Sequence, residues 1–399
     1  SALDSLSIAA TTTLLNTDQV FTTGLSGMLF NTNLSLGSSV TTATLNAGTG
    51  PVDFEQAVSI GSKTLNVTAD SIIIGTTSTI TSQAGNLILR PFSTGLAMDV
   101  GGAGTSNFSL TDAELGRLVD GFSSVTIGRP DSSANLSILS ALNNINDPFI
   151  FTTGGQLNIS NPVNGNTNDA SLSFVAPTGL INLNSSVSTK GQRILFDGSI
   201  VVGGSGGTIK TTGSTGSVVA GGNIDFTSSG GAISGTQVLT LDAGSGGTIT
   251  SNTAINMSGG SSGLTIFNSG GATFNQAVSV GGTVTITSTT DNRTVAFNGN
   301  LSANQLTTSA GAYNLALVGG AGITLGTTLN NTGSVIIGDN ATDIFTFAGG
   351  LTATQASLSL AGNISTTSNP ITLGDVSLTA NTALVAGPST IQTGDVSGA

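Results

Sequence analysis

The chain has 399 residues, of which only 7% are charged, with Asp+Glu 20 against Lys+Arg 8. It has no Cys, no His and no Trp, which removes disulfide staples, thiol chemistry, the commonest general base and the usual transition-metal ligands. The few basic residues, from Lys63 to Arg293, are scattered, so no phosphate-binding patch forms and no nucleic acid is expected as a partner.

No run approaches the roughly 18 consecutive apolar residues of a membrane-spanning helix, and Ser1, Ala2, Leu3 and Asp4 do not open a targeting segment. The sequence reads as a mature form or an excerpt of a longer chain. Strand alternation is already present at Ser5, Leu6, Ser7 and Ile8 and recurs throughout as apolar, polar, apolar, followed by Gly or Asn. Leu65, Asn66 and Val67 show it, as do Leu157, Asn158 and Ile159, or Val284, Thr285 and Ile286. Period-two alternation in runs this short predicts strands of about three to five residues with one buried face. Their recurrence every 8 to 15 residues or so is the spacing of one side of a coil.

The first departure comes at about residues 90–123. Thr111, Asp112, Ala113 and Glu114 form a capping-box pattern that predicts a short helix near 111–119, with Leu115, Leu118 and Val119 on its apolar side and Gly121 as its stop. Asp112, Glu114, Arg117 and Asp120 could be read as a binding or acid/base cluster. Carboxylates in the first turn of a helix are more simply caps, so they are read as a solvated helix face covering one flank of the coil. A second excursion is expected at about 140–149. Proline occurs at 51, 91, 130, 148, 162, 177, 370 and 388. Because proline removes a ladder hydrogen bond, residues 1–179 are expected to be less regular and 180–369 the most uniform.

Paired glycines punctuate that regular part, for example Gly221 with Gly222 and Gly281 with Gly282. They are read as tight corners using the freedom of glycine at positive φ. Asp70, Asp197, Asp242, Asp291, Asp339 and Asp375 stand at similar corners, where their side chains can cap nearby N–H groups. Longer repeats exist too. The segment from Phe54 to Gly61 returns from Phe274 to Gly281, and that from Phe297 to Ala303 returns 50 residues later at Phe347 to Ala353. This suggests about two coils of roughly 20 to 27 residues.

Hairpin turns of the Asn-Gly type are rare, Asn164-Gly165 and Asn298-Gly299, which argues against an antiparallel sandwich. A parallel coil instead places like residues above like, about 4.8 Å apart, with Val, Ile and Leu inside and Thr, Ser and Asn outside. The expected fold is an all-β parallel β-helix, or β-solenoid, over residues 1–399 as a single continuous domain, with one short helical excursion. Solenoids need end caps, and neither terminus supplies one. The expectation is that the chain continues into further coils or stacks end to end with copies of itself.

Residues 89–128 carry a run that begins Leu89, Arg90, Pro91 and includes Thr94, Gly95, Asp99, Gly101, Gly102 and the segment Leu110 to Leu115. It resembles a module recurring in exported Gram-negative proteins related to filamentous haemagglutinin, including two-partner-secretion exoproteins and autotransporter-like adhesins. The segment Phe347 to Ala353, with the stretch from Leu358 to Leu378, is similar to their strand repeats. The resemblance implies a right-handed parallel β-helix, secretion to the bacterial cell surface and adhesion or fibre function. It implies no catalytic residues.

Sites for chemistry are sparse along the chain. Asp53 with Glu55, Asp339 with Asp343, and Arg193 with Asp197 are the nearest candidates for a carbohydrate-acting enzyme, and each reads more simply as a turn or solvated pair. Gly203 to Gly207 lacks the Asp of calcium-binding glycine-rich repeats and the Lys of a phosphate loop. No catalytic, cofactor or metal-binding residue is therefore assigned, and folding is expected to be insensitive to chelators and reductant. The expected function is a structural adhesin or fibre module, not an enzyme, whose partners are copies of itself, a cell-surface glycan or a host or abiotic surface. The alternatives are a polysaccharide-acting enzyme or glycan-binding module on a β-helix. A less favoured one is ice binding through the threonines around Val284 to Thr290.

Overall fold

The computed structural model describes residues 5–9, 12–102, 108–213 and 220–398; part of the run resembling the exported proteins, residues 103–107, lies outside them. Chain contacts group into two compact units, Ser1–Gly198 and Ser199–Ala399. Each is an all-β parallel solenoid, and the one helix among the described residues is Asp112–Leu115.

In the C-terminal unit the chain lays strands on three faces in turn. Ala272–Phe274 lies on the first, and the two halves of Val278–Ile286 on the second and third. Thr294–Phe297 then stacks back on Ala272–Phe274 with Phe297 over Phe274. Because the pairing is parallel and in register, the inward positions form apolar columns such as Leu241, Ile266 and Ile286, all fully buried. The Phe274 and Phe297 rings stack with centroids 5.0 Å apart. The N-terminal unit is built alike, with Val67, Leu89, Ile127, Phe151 and Phe174 in one column. A separate parallel sheet there joins Thr12–Leu15, Asn33–Leu36, Val58–Ser59 and Ile80–Thr81.

Several expectations need correction. Strands are not all short: Thr42–Phe54 has 13 residues and Leu172–Leu183 has 12. They turn corners without leaving the ladder and absorb Pro51 and Pro177, Pro51 at a register shift. The expected excursion at 140–149 instead contains the strand Leu142–Ile145, stacked on Val163–Gly165 with one irregularity. Gly281 and Gly282 do not need positive φ. A Cβ on Gly282 would lie 2.1 Å from the Ser262 carbonyl oxygen of the preceding coil, so close backbone approach selects glycine there. Finally, the two copies of the 50-residue repeat stand on different faces. Phe297 stacks on Leu317, whereas Phe347 stacks on Ile323 and Ile323 on Ala303. The spacing is two coils plus one side, because one short apolar-polar-apolar strand serves on any face.

Candidate functional site

Three corners on consecutive coils of the N-terminal unit bring carboxylates together. Asp120 precedes the strand Phe122–Arg129, Asp147 precedes Phe149–Thr153 and Asp169 precedes Leu172–Leu183. Those strands stack in register, Val125 on Phe149 and Phe149 on Leu172. Stacking therefore carries the three acids into one column, and a carboxylate oxygen from each lies within 4.8 Å of the others.

Their environments differ. Asp147 is wholly buried. Its Oδ1 accepts the backbone N–H groups of Gly121 at 2.8 Å and Phe122 at 2.7 Å, which staples its corner to the preceding coil. Its Oδ2 is buried and has no hydrogen-bond partner. Burial pushes the Asp147 carboxyl up to about 6; the two backbone donors oppose that shift, and the charges of Asp120 and Asp169 add to it. Asp120 and Asp169 are exposed and, with Asn166, Thr167, Asn168 and Lys190, line an open depression. The Thr167 hydroxyl lies within donating distance of Asp169 Oδ1 at 2.6 Å and of the Asn146 carbonyl oxygen at 2.5 Å.

Burial of the middle carboxylate bears on which of two chemistries the column could serve. Glycosidase carboxyl groups stand about 5–5.5 Å apart when retaining and about 6.5–9.5 Å apart when inverting. Asp147, the middle of the three, is wholly buried and has no surface open to a substrate, which argues against a glycosidase pair. Oxygens bound to one calcium ion at about 2.3–2.6 Å are necessarily within about 5 Å of each other, which these three satisfy.

Family models, curated proteins and solved structures were compared with the chain, and none matches. The likeness to exported haemagglutinin-like proteins is thus supported by the solenoid fold alone.

The helix-borne charges do not act as one group. Glu114 Oε2 accepts the Thr111 N–H at 2.9 Å and completes the capping box, while its Oε1 accepts the Ile74 N–H at 3.2 Å. Arg117 donates to the Ile74 carbonyl oxygen. Asp112 Oδ1 accepts the N–H groups of Asn143 and Asn144. These three are half-buried latches to coils on either side rather than a solvated face. Only Asp120 joins the acidic column. The helix itself ends at Leu115 with Gly116 as cap, and Leu118 bridges to Ile80, leaving Val119 42% exposed instead of packed.

The other candidates stay apart from the column. Asp53 is shifted up by burial and then by the Glu55 charge. Asp343 Oδ2 accepts the N–H groups of Asp339 and Asn340 in an exposed turn. Arg193 is exposed just before the strand Ile194–Val202 that carries Asp197. Reading along the chain missed Asp147 and Asp169 because they belong to different coils; the usable signal was the recurrence of an acidic corner once per coil.

The second surface of interest is a ladder. Thr208, Thr240, Thr265, Thr285, Thr307, Thr328, Thr352 and Thr372 pair successively in register along one face of the C-terminal unit. Asn252, Asn275 and Asn298 form a second ladder, with side-chain amide bonds of 2.8 Å at both steps.

Proposed function

We propose that the chain is a structural module of a secreted or cell-surface adhesin or fibre. It is not a catalyst in this reading, and it acts by holding ordered arrays of hydroxyl and amide groups toward a glycan, a surface or copies of itself. The threonine ladder carries this reading: hydroxyls repeat at the spacing of parallel strands, about 4.8 Å, on a scaffold whose apolar side chains are mostly consumed in its core. Repetition lets many weak contacts add on one support, which is how a surface with no deep site reaches useful avidity.

The ladder also prompts the ice-binding reading, but its flanks do not repeat it. On one side Val238 pairs with Gly263 and Thr283 with Gln305; on the other Lys210 pairs with Asp242 and Asp242 with Asn268. A second threonine column, needed for a flat array, is missing at these positions.

The test is retention of the full chain on immobilised glycans and on abiotic surfaces, comparing the native sequence with a triple Thr240→Val, Thr285→Val, Thr328→Val variant. Valine keeps the strand preference and removes the hydroxyl. Retention that falls in the variant while the far-ultraviolet spectrum stays unchanged supports the display function. Turnover of a glycan by the native chain would falsify it in favour of an enzyme, and thermal hysteresis would favour ice binding.

A further inference from the structure

The corner column offers something the structural reading does not require. Like charges on successive coils repel, and stacking fixes Asp120, Asp147 and Asp169 with ligand oxygens within 4.8 Å of one another. An exposed pair could turn to water, but Asp147 cannot, being wholly buried with Oδ2 unpartnered. Unpaired buried carboxylate oxygens are costly, and a buried charge normally has an ion or donor opposite it. Its other oxygen is already committed to Gly121 and Phe122, which fixes the carboxylate in place. Lys190 lines the neighbouring depression and forms no ion pair with the three carboxylates among the described residues.

We infer that Asp120, Asp147 and Asp169 form a binding site for a hard divalent cation, calcium, which clamps three consecutive coils together. All available donors are oxygens, which suits calcium and excludes softer metals that prefer nitrogen or sulfur. Asn166, Thr167 and Asn168 supply further amide, hydroxyl and carbonyl oxygens at the rim, and an irregular corner suits the variable six- to eight-fold coordination of calcium better than the strict octahedron of magnesium. The ion would neutralise the repulsion, give Asp147 Oδ2 a partner and join corners that no covalent staple holds. This inference makes the fold sensitive to chelators, against the expectation from sequence.

The experiment is calorimetric titration of the full chain with calcium chloride after chelator treatment, with thermal melting in parallel. The native chain is expected to bind one calcium ion per chain, melt higher in its presence and return to the lower value with excess chelator. Asp120→Asn and Asp169→Asn alter exposed groups, so both should fold and weaken binding about tenfold or more, as loss of a charged ligand does. Asp147→Asn keeps an oxygen for Gly121 and Phe122 and should abolish binding. Lys190→Ala should leave binding intact or tighten it. No saturable heat and no melting shift in the native chain would overturn the inference, as would uptake unchanged in both exposed-site variants. A native chain indifferent to calcium whose Lys190→Ala variant is destabilised would show that lysine balances the column instead.

Discussion

Ile286 and Thr285 are adjacent residues on opposite faces of one strand, the first fully buried and the second partly exposed. Ile286→Asp puts an unpaired charge into a column between Ile266 and Thr308 and should destabilise the chain by about 4 kcal/mol or more. Thr285→Ser should cost less than about 0.5 kcal/mol; denaturant titration showing equal losses would contradict the inward and outward assignment. Charge at the surface acts more weakly. Arg129 grips Asp131 through two contacts of 2.7 Å, and that hydrogen bonding holds the Asp131 carboxyl down to about 2. The folded value lies below the unfolded one, so the pair's contribution is present above about pH 4 and lost as pH falls toward 2. It is small because Asp131 is largely exposed. Arg129→Gln should return the Asp131 titration, followed by carboxyl carbon resonance, to the ordinary aspartate range; an unmoved value would mean another group sets it.

At the scale of elements, alternation and the capping box were readable because they depend on neighbours along the chain. What the caps do was not. Asp242 accepts the local Gly244 N–H as expected, but Asp70 accepts from Ser93, Asp291 from Ala312 and Asp375 from Asp395, each one coil on, where local turns were expected. Glu114 likewise serves its own helix and Ile74 together. Thr111→Ala removes one cap and should cost about 1 kcal/mol. Glu114→Ala removes three charged hydrogen bonds, from the Thr111 N–H and hydroxyl and from the Ile74 N–H, and should cost about 2–4 kcal/mol; the opposite order in melting experiments would mean that the latch to Ile74 contributes little. The corners behave in the same way. Gly61 has φ +57, and a Cβ added there would meet nothing within 4 Å, so Gly61→Asn should be nearly neutral, since Asn tolerates the left-handed region. Gly282→Ala meets backbone of the preceding coil and should cost about 2 kcal/mol or more. Sequence marks both as glycine, and only the stacked neighbour distinguishes them.

For the molecule as a whole, the parallel solenoid class could be read from the chain because scarce charge, short alternating strands and the rarity of Asn-Gly hairpin turns all argue against the alternatives. Outward stacking of threonine could be read as well, but which residues make up the threonine ladder and the acidic column could not, since their members are a coil apart and coil length varies as corners absorb or shed residues. Both depend on one claim, that consecutive coils stack parallel and in register. Thiol crosslinking tests it most directly, because the chain has no cysteine of its own. Thr285 and Thr307 are register partners, whereas Ser302 pairs with Ser279 on another face. Neighbouring strands lie about 4.8 Å apart, so a short thiol-specific crosslinker should join Thr285→Cys to Thr307→Cys within one chain and fail to join Thr285→Cys to Ser302→Cys. Equal crosslinking of both pairs, or of neither, would contradict the in-register parallel stack.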